Sequence, residues 1–402
     1  CSLVGSEMCI RDRIRVFPIT INGYEKPDSR LITVRADSST VVKFYYRKLV
    51  AGTEKTAEEQ ENDDQGLSME LQKKILEALE QGSSTNYTIE EVIYTLHKNE
   101  DGTLTIRLNG STGQEKLVIP DVIKVAGKTL TITEIAEKAF YGQGELKEVV
   151  MGSGITKIGK SAFEDCRKLK KVNIGNNVTV IEESAFKNCA ALERITISEA
   201  VLRIGSHAFE GCKKLKSLVL KEGLLQIGNK AFYKCSALKN VKIPGSVLQI
   251  GKYAFADCKK IGKFSFAQNA SLMRIGDGML QNASSLSKIK LPGRLRSIPD
   301  HTFRNAVKLE NCQIGSSVTK IGNSAFQGCK KLQRMILPGQ VQTIGKRTFY
   351  QCKKLKKVTI RTVQLRKIGK EAFKGCASKI QFAVPKGKQT VYAKLLKGKY
   401  GK

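Results

Sequence analysis

Nine of the eleven cysteines lie beyond residue 13, and eight of them obey one rule. Cys166, Cys189, Cys212, Cys235, Cys258, Cys329, Cys352 and Cys376 each stand three residues after a phenylalanine, while Cys312 stands apart. Thiols in a regular array could ligate zinc, form disulfides or act as nucleophiles. Zinc sites need ligands at short spacings, and no Cys-x-x-Cys pair occurs. The three histidines, His97, His207 and His301, are scattered and none has a second ligand nearby in sequence, so no metal site is expected. Two of them fall near a slot also held by Lys, Ser and Tyr, which reads as solvated surface. No glycine-rich phosphate loop, serine elbow or paired acidic cluster is present, so no catalytic residue and no cofactor are expected.

The elements that carry the cysteines explain them better. A phenylalanine recurs at Phe140, Phe163, Phe186, Phe209, Phe232, Phe255, Phe303, Phe326, Phe349 and Phe373, with Leu280 filling one slot. The period is 23 residues, with slips of two before Leu280 and of one before Phe373. Six residues after eight of the ten phenylalanines comes Leu, as at Leu169 and Leu238, and nine and eleven after come apolar pairs such as Val172 with Ile174. That alternation is the mark of a short strand buried on one face. Ile then precedes Gly, as in Ile204 with Gly205 and Ile227 with Gly228, where a tight turn of positive φ is expected.

A coil of 23 residues cannot bury its own apolar face, so the Phe, Leu, Val and Ile positions must form ladders by stacking on neighbouring coils. Eleven coils at the spacing of parallel strands give a column roughly 50 Å long. The cysteines share the core register, where Cys behaves as a small hydrophobe. Cα atoms about 4.8 Å apart could be bridged, but parallel side chains hold the Cβ atoms wider than a disulfide prefers. Buried free thiols are the expectation.

The formal charge of +32 is unevenly placed. Residues 1–136 hold 17 basic against 21 acidic side chains, and residues 137–402 hold 52 against 16. Within each strand the residues eight and ten after the aromatic point away from the core. The first outward column reads Lys171, Arg194, Ser217, Asn240, Lys263, Lys288, Asn311, Arg334, Lys357; the second is mixed and includes Lys242 and Lys290. The candidate ligand-binding residues are therefore Lys171, Arg194, Lys242, Lys263, Lys288, Lys290, Arg334 and Lys357. Further lysines crowd the turns at Lys213, Lys259, Lys330 and Lys353, where solvation explains them equally well. Such a charge favours anionic partners, though aromatic platforms for single-stranded nucleic acid are missing between the basic columns.

The pattern A-F-x-x-C-x-x-L-x-x-V-x-I-P-x-x-V-x-x-I-G, read at residues 231–251, resembles the BspA-like bacterial leucine-rich repeat. The resemblance covers about 130–385 and implies a right-handed leucine-rich repeat solenoid of the α/β class, rich in β-structure, with its parallel sheet on the concave face. It departs in the middle, where Ala283 and Ala306 replace Cys, Pro299 replaces Gly, and Phe264 and Phe266 replace aliphatic residues, so a bulge or kink is expected at 264–280.

The flanks are read as follows. Residues 1–13 resemble translated sequencing adapter and are taken as foreign, which makes the chain a fragment lacking any export signal or anchor. Residues 14–48 resemble the last strands of a mucin-binding-protein-like repeat domain, through Gly23, Tyr24, the run Thr33, Val34, Arg35, Ala36, Asp37, and Val41 to Tyr46. Residues 49–85 form an acidic linker with a short helix at 69–81. The solenoid with its N-terminal cap spans 86–385: Ile106 and Leu108 alternate with Thr105 and Arg107 after a turn at 99–102. Residues 386–402 form a basic C-terminal cap in which Tyr392, Leu395 and Leu396 have helical spacing. No apolar run is long enough to span a membrane. Together the resemblances imply an extracellular or cell-surface protein for binding or adhesion, whose partner would be a host matrix protein, mucin or glycan, or another cell surface. Two alternatives stay open: a module for anionic polymers (teichoic acid, sulfated glycan or nucleic acid), and the non-catalytic part of a larger surface enzyme.

Overall fold

A computed structural model describes residues 113–125 and 128–399 without interruption. Before them it describes the strands Arg13–Val16, Tyr24–Glu25, Arg30–Thr33, Arg47–Lys48, Asn86–Ile89, Val92–Lys98 and Leu104–Ser111, with Lys73 and Glu77 both helical. The chain divides into two units, residues 1–62 and 63–402. In the first, Arg13–Val16 pairs antiparallel with Arg30–Thr33, and Tyr24–Glu25 with Arg47–Lys48. The adapter-like residues 1–12, the strand expected at 41–46, the linker at 49–67 and the turn at 99–102 lie outside the described residues.

The second unit is a β-solenoid. Each coil contributes one longer strand, from Lys116–Ile119 through to Gln381–Ala383, and one two-residue strand ending in the repeated Ile. Both sets stack in parallel at one-coil offsets, as in Arg194 with Ser217 and Ile204 with Ile227. Eleven coils carry the aromatic slot as the period requires, and twelve longer strands stack because Lys116–Ile119 of the cap pairs with Glu148–Met151. The cap itself is antiparallel: Asn86–Ile89, Val92–Lys98 and Leu104–Ser111 form a meander that turns parallel where Leu104–Ser111 meets Lys128–Ile135. Ile106 and Leu108 bury as their alternation predicts.

The phenylalanines fill the column. All ten are buried, and successive rings stack with centroids 5.0–5.4 Å apart. The stack is interrupted at Leu280. There Phe255 instead meets Phe264 edge to face at 5.2 Å, and Phe264 meets Phe266 at 5.5 Å. The expected irregularity is confined to one turn. Lys263–Phe266 keeps full register with Asn240–Ile243, and the two extra residues fall between that strand and Ile275, which still pairs with Ile250.

Around each aromatic runs a third inter-coil ladder. The N–H groups of Lys138, Phe140 and Gly142 donate to the carbonyls of Lys160, Ala162 and Glu164 in the next coil, at 2.9, 2.7 and 2.8 Å. The residues two before and two after the aromatic adopt left-handed backbone along this ladder, at φ 52° for Ser161, 61° for Asp165 and 60° for His207. Among the described residues seventeen other than glycine hold positive φ, a conformation seldom seen away from glycine.

The glycines after the repeated Ile serve a different end from the one expected. Gly205, Gly228 and Gly345 do not have positive φ. A Cβ on Gly228 would lie 2.5 Å from the backbone of Gly205 and Ser206, so glycine is required there by close approach of coils rather than by a turn. Pro299 occupies the same slot, and it lacks the N–H that Gly276 and Gly322 use to reach Ile250 and Ile298. The short-strand sheet ends there, with Arg274–Ile275 closing one sheet and Ser297–Ile298 opening the next, as a missing donor demands.

At the far end the helix Gln389–Leu396 buries Tyr392 and Leu396, with Leu395 packed beside them. The Tyr392 hydroxyl donates to the Thr362 carbonyl at 2.9 Å and accepts from the Leu365 N–H at 3.3 Å.

Candidate binding face

The cysteine ladder has a structural explanation. Each of the eight periodic thiols donates to the carbonyl of the phenylalanine in the preceding coil, from Cys166 on Phe140 to Cys376 on Phe349, with Sγ to O distances of 2.9–3.3 Å. All nine cysteines beyond residue 13 are free and all but Cys376 are fully buried. Burial pushes the Cys166 thiol up to about 12 and raises those of Cys189, Cys212 and Cys312. A thiol held protonated is a poor nucleophile and a poor ligand. Among the described residues no cluster of His, Cys, Asp and Glu could hold a metal ion.

The histidines depart from the solvated reading. His207 and His301 are half-buried, because both sit at left-handed positions of the aromatic arc. The Nδ1 of His207 faces the Glu210 carboxylate, and the Nδ1 of His301 is buried without a hydrogen-bond partner. His97 lies on the cap strand opposite Thr105.

The outward columns form as the period requires. Lys171, Arg194, Ser217, Asn240, Lys263, Lys288 and Asn311 pair one to the next in a single register, and Arg334 pairs with Lys357. Every one of these side chains is exposed. In the second column Lys242 and Lys290 are exposed, together with Val219 and Ile336 at 46% and 43%.

The sequence reading missed how unequally this charge is compensated. At the N-terminal end acids from adjacent coils sit opposite the bases. Glu148 lies 3.9 Å from Lys171, Glu164 2.7 Å from Lys187, Glu145 2.7 Å from Lys168 and Glu182 2.9 Å from Arg203. From residue 259 onward the chain holds 32 basic and only 4 acidic side chains. Lys263, Lys288, Lys290, Arg334, Lys357 and Arg361 have no carboxylate partner among the described residues. The signal was available: pairs one period apart, such as Glu145 with Lys168, become neighbours as soon as the coils are stacked.

The face also has relief. Its sheet runs unbroken from Lys116–Ile119 to Asn311–Gln313 and a second begins at Arg334–Leu337. Over this seam lies a cavity of about 570 Å³ bordered by Lys290, Asn311, Gln313, Arg334, Ile336 and Arg361. A second, of about 860 Å³, adjoins it and adds Lys263 and Lys288. The two share Lys290, Leu291, Gly293, Asn311 and Gln313, so they form one trough.

Solved structures similar to this chain include a leucine-rich repeat protein from Bacteroides ovatus, 25% identical over 78% of this chain and 97% of that one, with a TM-score of 0.38. The pneumococcal vaccine antigen PcpA is 22% identical over 79% and 97%, with a TM-score of 0.49. A leucine rich cell surface protein from Faecalibacterium prausnitzii is 22% identical over 70% and 96%, with a TM-score of 0.33. No curated protein sequence matches the chain. The family model for the BspA type leucine rich repeat region, six copies long, matches residues 133–262 and 249–381. With coil, ladder and period all following that repeat, the chain belongs to the BspA type leucine rich repeat family.

Proposed function

We propose that the chain is the ligand-contacting solenoid of a non-catalytic bacterial surface or secreted protein, serving in adhesion. Its partner would be a host matrix protein, a mucin or other glycan, or another cell surface. The family supports a binding role, and no helix of the described residues is long and apolar enough to cross a membrane. One observation carries the reading furthest: Lys263, Lys288, Arg334 and Lys357 stand exposed on the longer-strand face without counter-charges among the described residues. Like charges at strand spacing repel, and solvent, salt or an acidic partner must screen them.

The test is capture of the purified chain on immobilised mucin and matrix glycoproteins. Charge reversal at Lys171, Arg194, Lys263 and Lys288 should weaken capture more than reversal at the turn residues Lys213, Lys259 and Lys330. Equal losses would sink the idea of a face and leave diffuse attraction. A second reading, binding of anionic polymers in general, is favoured by the 32 to 4 imbalance beyond residue 259. It requires affinity to fall steeply with salt, and a flat response would exclude it.

A further inference from the structure

We infer that the trough over the sheet seam is a discrete site for a sulfated glycan, held by Lys290, Arg334 and Arg361 with Lys263 and Lys288 extending it. The inference rests on the adhesion reading and narrows it from a face to one groove and one ligand chemistry.

Four observations support it. Charge comes first: all five cations are exposed, all border the trough, and none has a carboxylate partner among the described residues. Only an anion neutralises such a set, and the guanidinium forks of Arg334 and Arg361 suit an oxyanion better than ammonium groups do. Size comes second. From Lys263 to Arg334 the trough crosses three strand steps, roughly 14 Å at parallel-strand spacing, which is too long for a lone sulfate or phosphate and fits a polymer with repeated charges.

The remaining two observations separate a glycan from a nucleic acid. The uncharged groups between the cations are the amides of Asn311 and Gln313 and the hydroxyl of Ser316, which can both donate to and accept from sugar hydroxyls. Beside them Ile336, 43% exposed, offers an apolar surface to the C–H face of a pyranose ring. The cavity bordered by Arg334 and Arg361 has no aromatic side chain in its wall; in the adjoining one Phe264 is buried and the half-buried Phe266 packs against it edge to face, so no row of exposed rings is offered on which successive unpaired bases would stack. The two adjoining cavities make this part of the face concave, and ligand sites are concave.

The test uses the full chain and titration calorimetry with three probes: a heparin-derived hexasaccharide, its fully desulfated counterpart, and a short DNA duplex. Two triple variants are compared, Lys290→Ala with Arg334→Ala and Arg361→Ala, and Lys213→Ala with Lys259→Ala and Lys330→Ala. Both remove three positive charges, and both are checked for an unchanged urea midpoint. The expected result is binding of the sulfated hexasaccharide, weakened by at least about tenfold in the trough variant and by less than about twofold in the turn variant, as expected for charge-assisted pairs against distant screened charges. Equal binding of the desulfated probe, tighter binding of DNA, equal losses in the two variants, or no binding at all would each overturn it. If the hexasaccharide fails while mucin or matrix capture still depends on the face, the glycan site falls and the adhesion reading stands. If capture is indifferent to the face while the hexasaccharide needs the trough, the reverse holds.

Discussion

The amide of Phe373 donates to the carbonyl of Lys399 at 3.0 Å. In the ten coils before it the same donor reaches the residue preceding the next aromatic, as when Phe349 donates to Ala372 at 2.8 Å. The segment after the helix Gln389–Leu396 thus completes a ladder that would otherwise leave a buried N–H without an acceptor, which is costly. The helix is held in place by Tyr392, whose hydroxyl closes on Thr362 and Leu365.

Replacing Tyr392 with Phe removes both bonds and keeps the ring. The exposed cost is that of leaving a buried carbonyl and amide unmatched, about 1–3 kcal/mol. Hydrogen exchange should accelerate first at Leu365 and Phe373, and unchanged exchange at both would show that the helix is held by its apolar contacts alone.

Phe232 stands inside the longer ring stack, with neighbours 5.2 and 5.1 Å away. Its truncation to Ala should cost about 3–5 kcal/mol. Phe232→Leu should cost far less, since Leu280 shows that the slot accepts an aliphatic side chain. Urea unfolding of the two variants decides it, and similar costs would mean that ring stacking rather than volume matters.

Gly228→Ala tests the close approach of coils. With backbone atoms 2.5 Å from the added Cβ, the coils must separate, and overpacking of this kind costs about 1–3 kcal/mol. A neutral result, read as an unshifted urea midpoint, would mean that the coils have slack at this edge.

The thiols give the solenoid an alkaline limit. Burial holds the Cys166 thiol at about 12 against an ordinary 9.0, so the folded state keeps a proton that the unfolded chain releases. The stabilisation is complete below pH 9 and declines between about 9 and 12. The advantage of the native protein over Cys166→Ala should therefore shrink across that window, by about 4 kcal/mol at most. Parallel pH dependences of the two proteins would contradict this.

Repeat, register and outward columns could be read from the residues because one constraint, stacking, acts identically on every coil. Phe163, Leu169 and Ile174 carry it in their side chains. What escaped the reading is set by backbone. The left-handed residues include Lys230, Tyr253 and Gln351, side chains that give no hint of positive φ; what they share is a backbone N–H bonded to the next coil. Gly228 was noticed, but a missing Cβ looks the same whether a turn or a neighbouring strand requires it. The trough lies at a seam in the sheet, and only the basic excess of residues 137–402 pointed toward it in the sequence.

The bonds between coils join fixed slots of one coil to fixed slots of the next, 22 residues apart for Lys138 with Lys160 and 26 apart for Cys166 with Phe140, so a regular coil neither knows nor needs its place in the column. Inserting or deleting a whole regular coil keeps the donors between coils matched, and odd residues are absorbed between the ladders, as the two extra ones between Phe266 and Ile275 are. The length of the column is therefore free to vary in whole steps, and its two terminal caps are not.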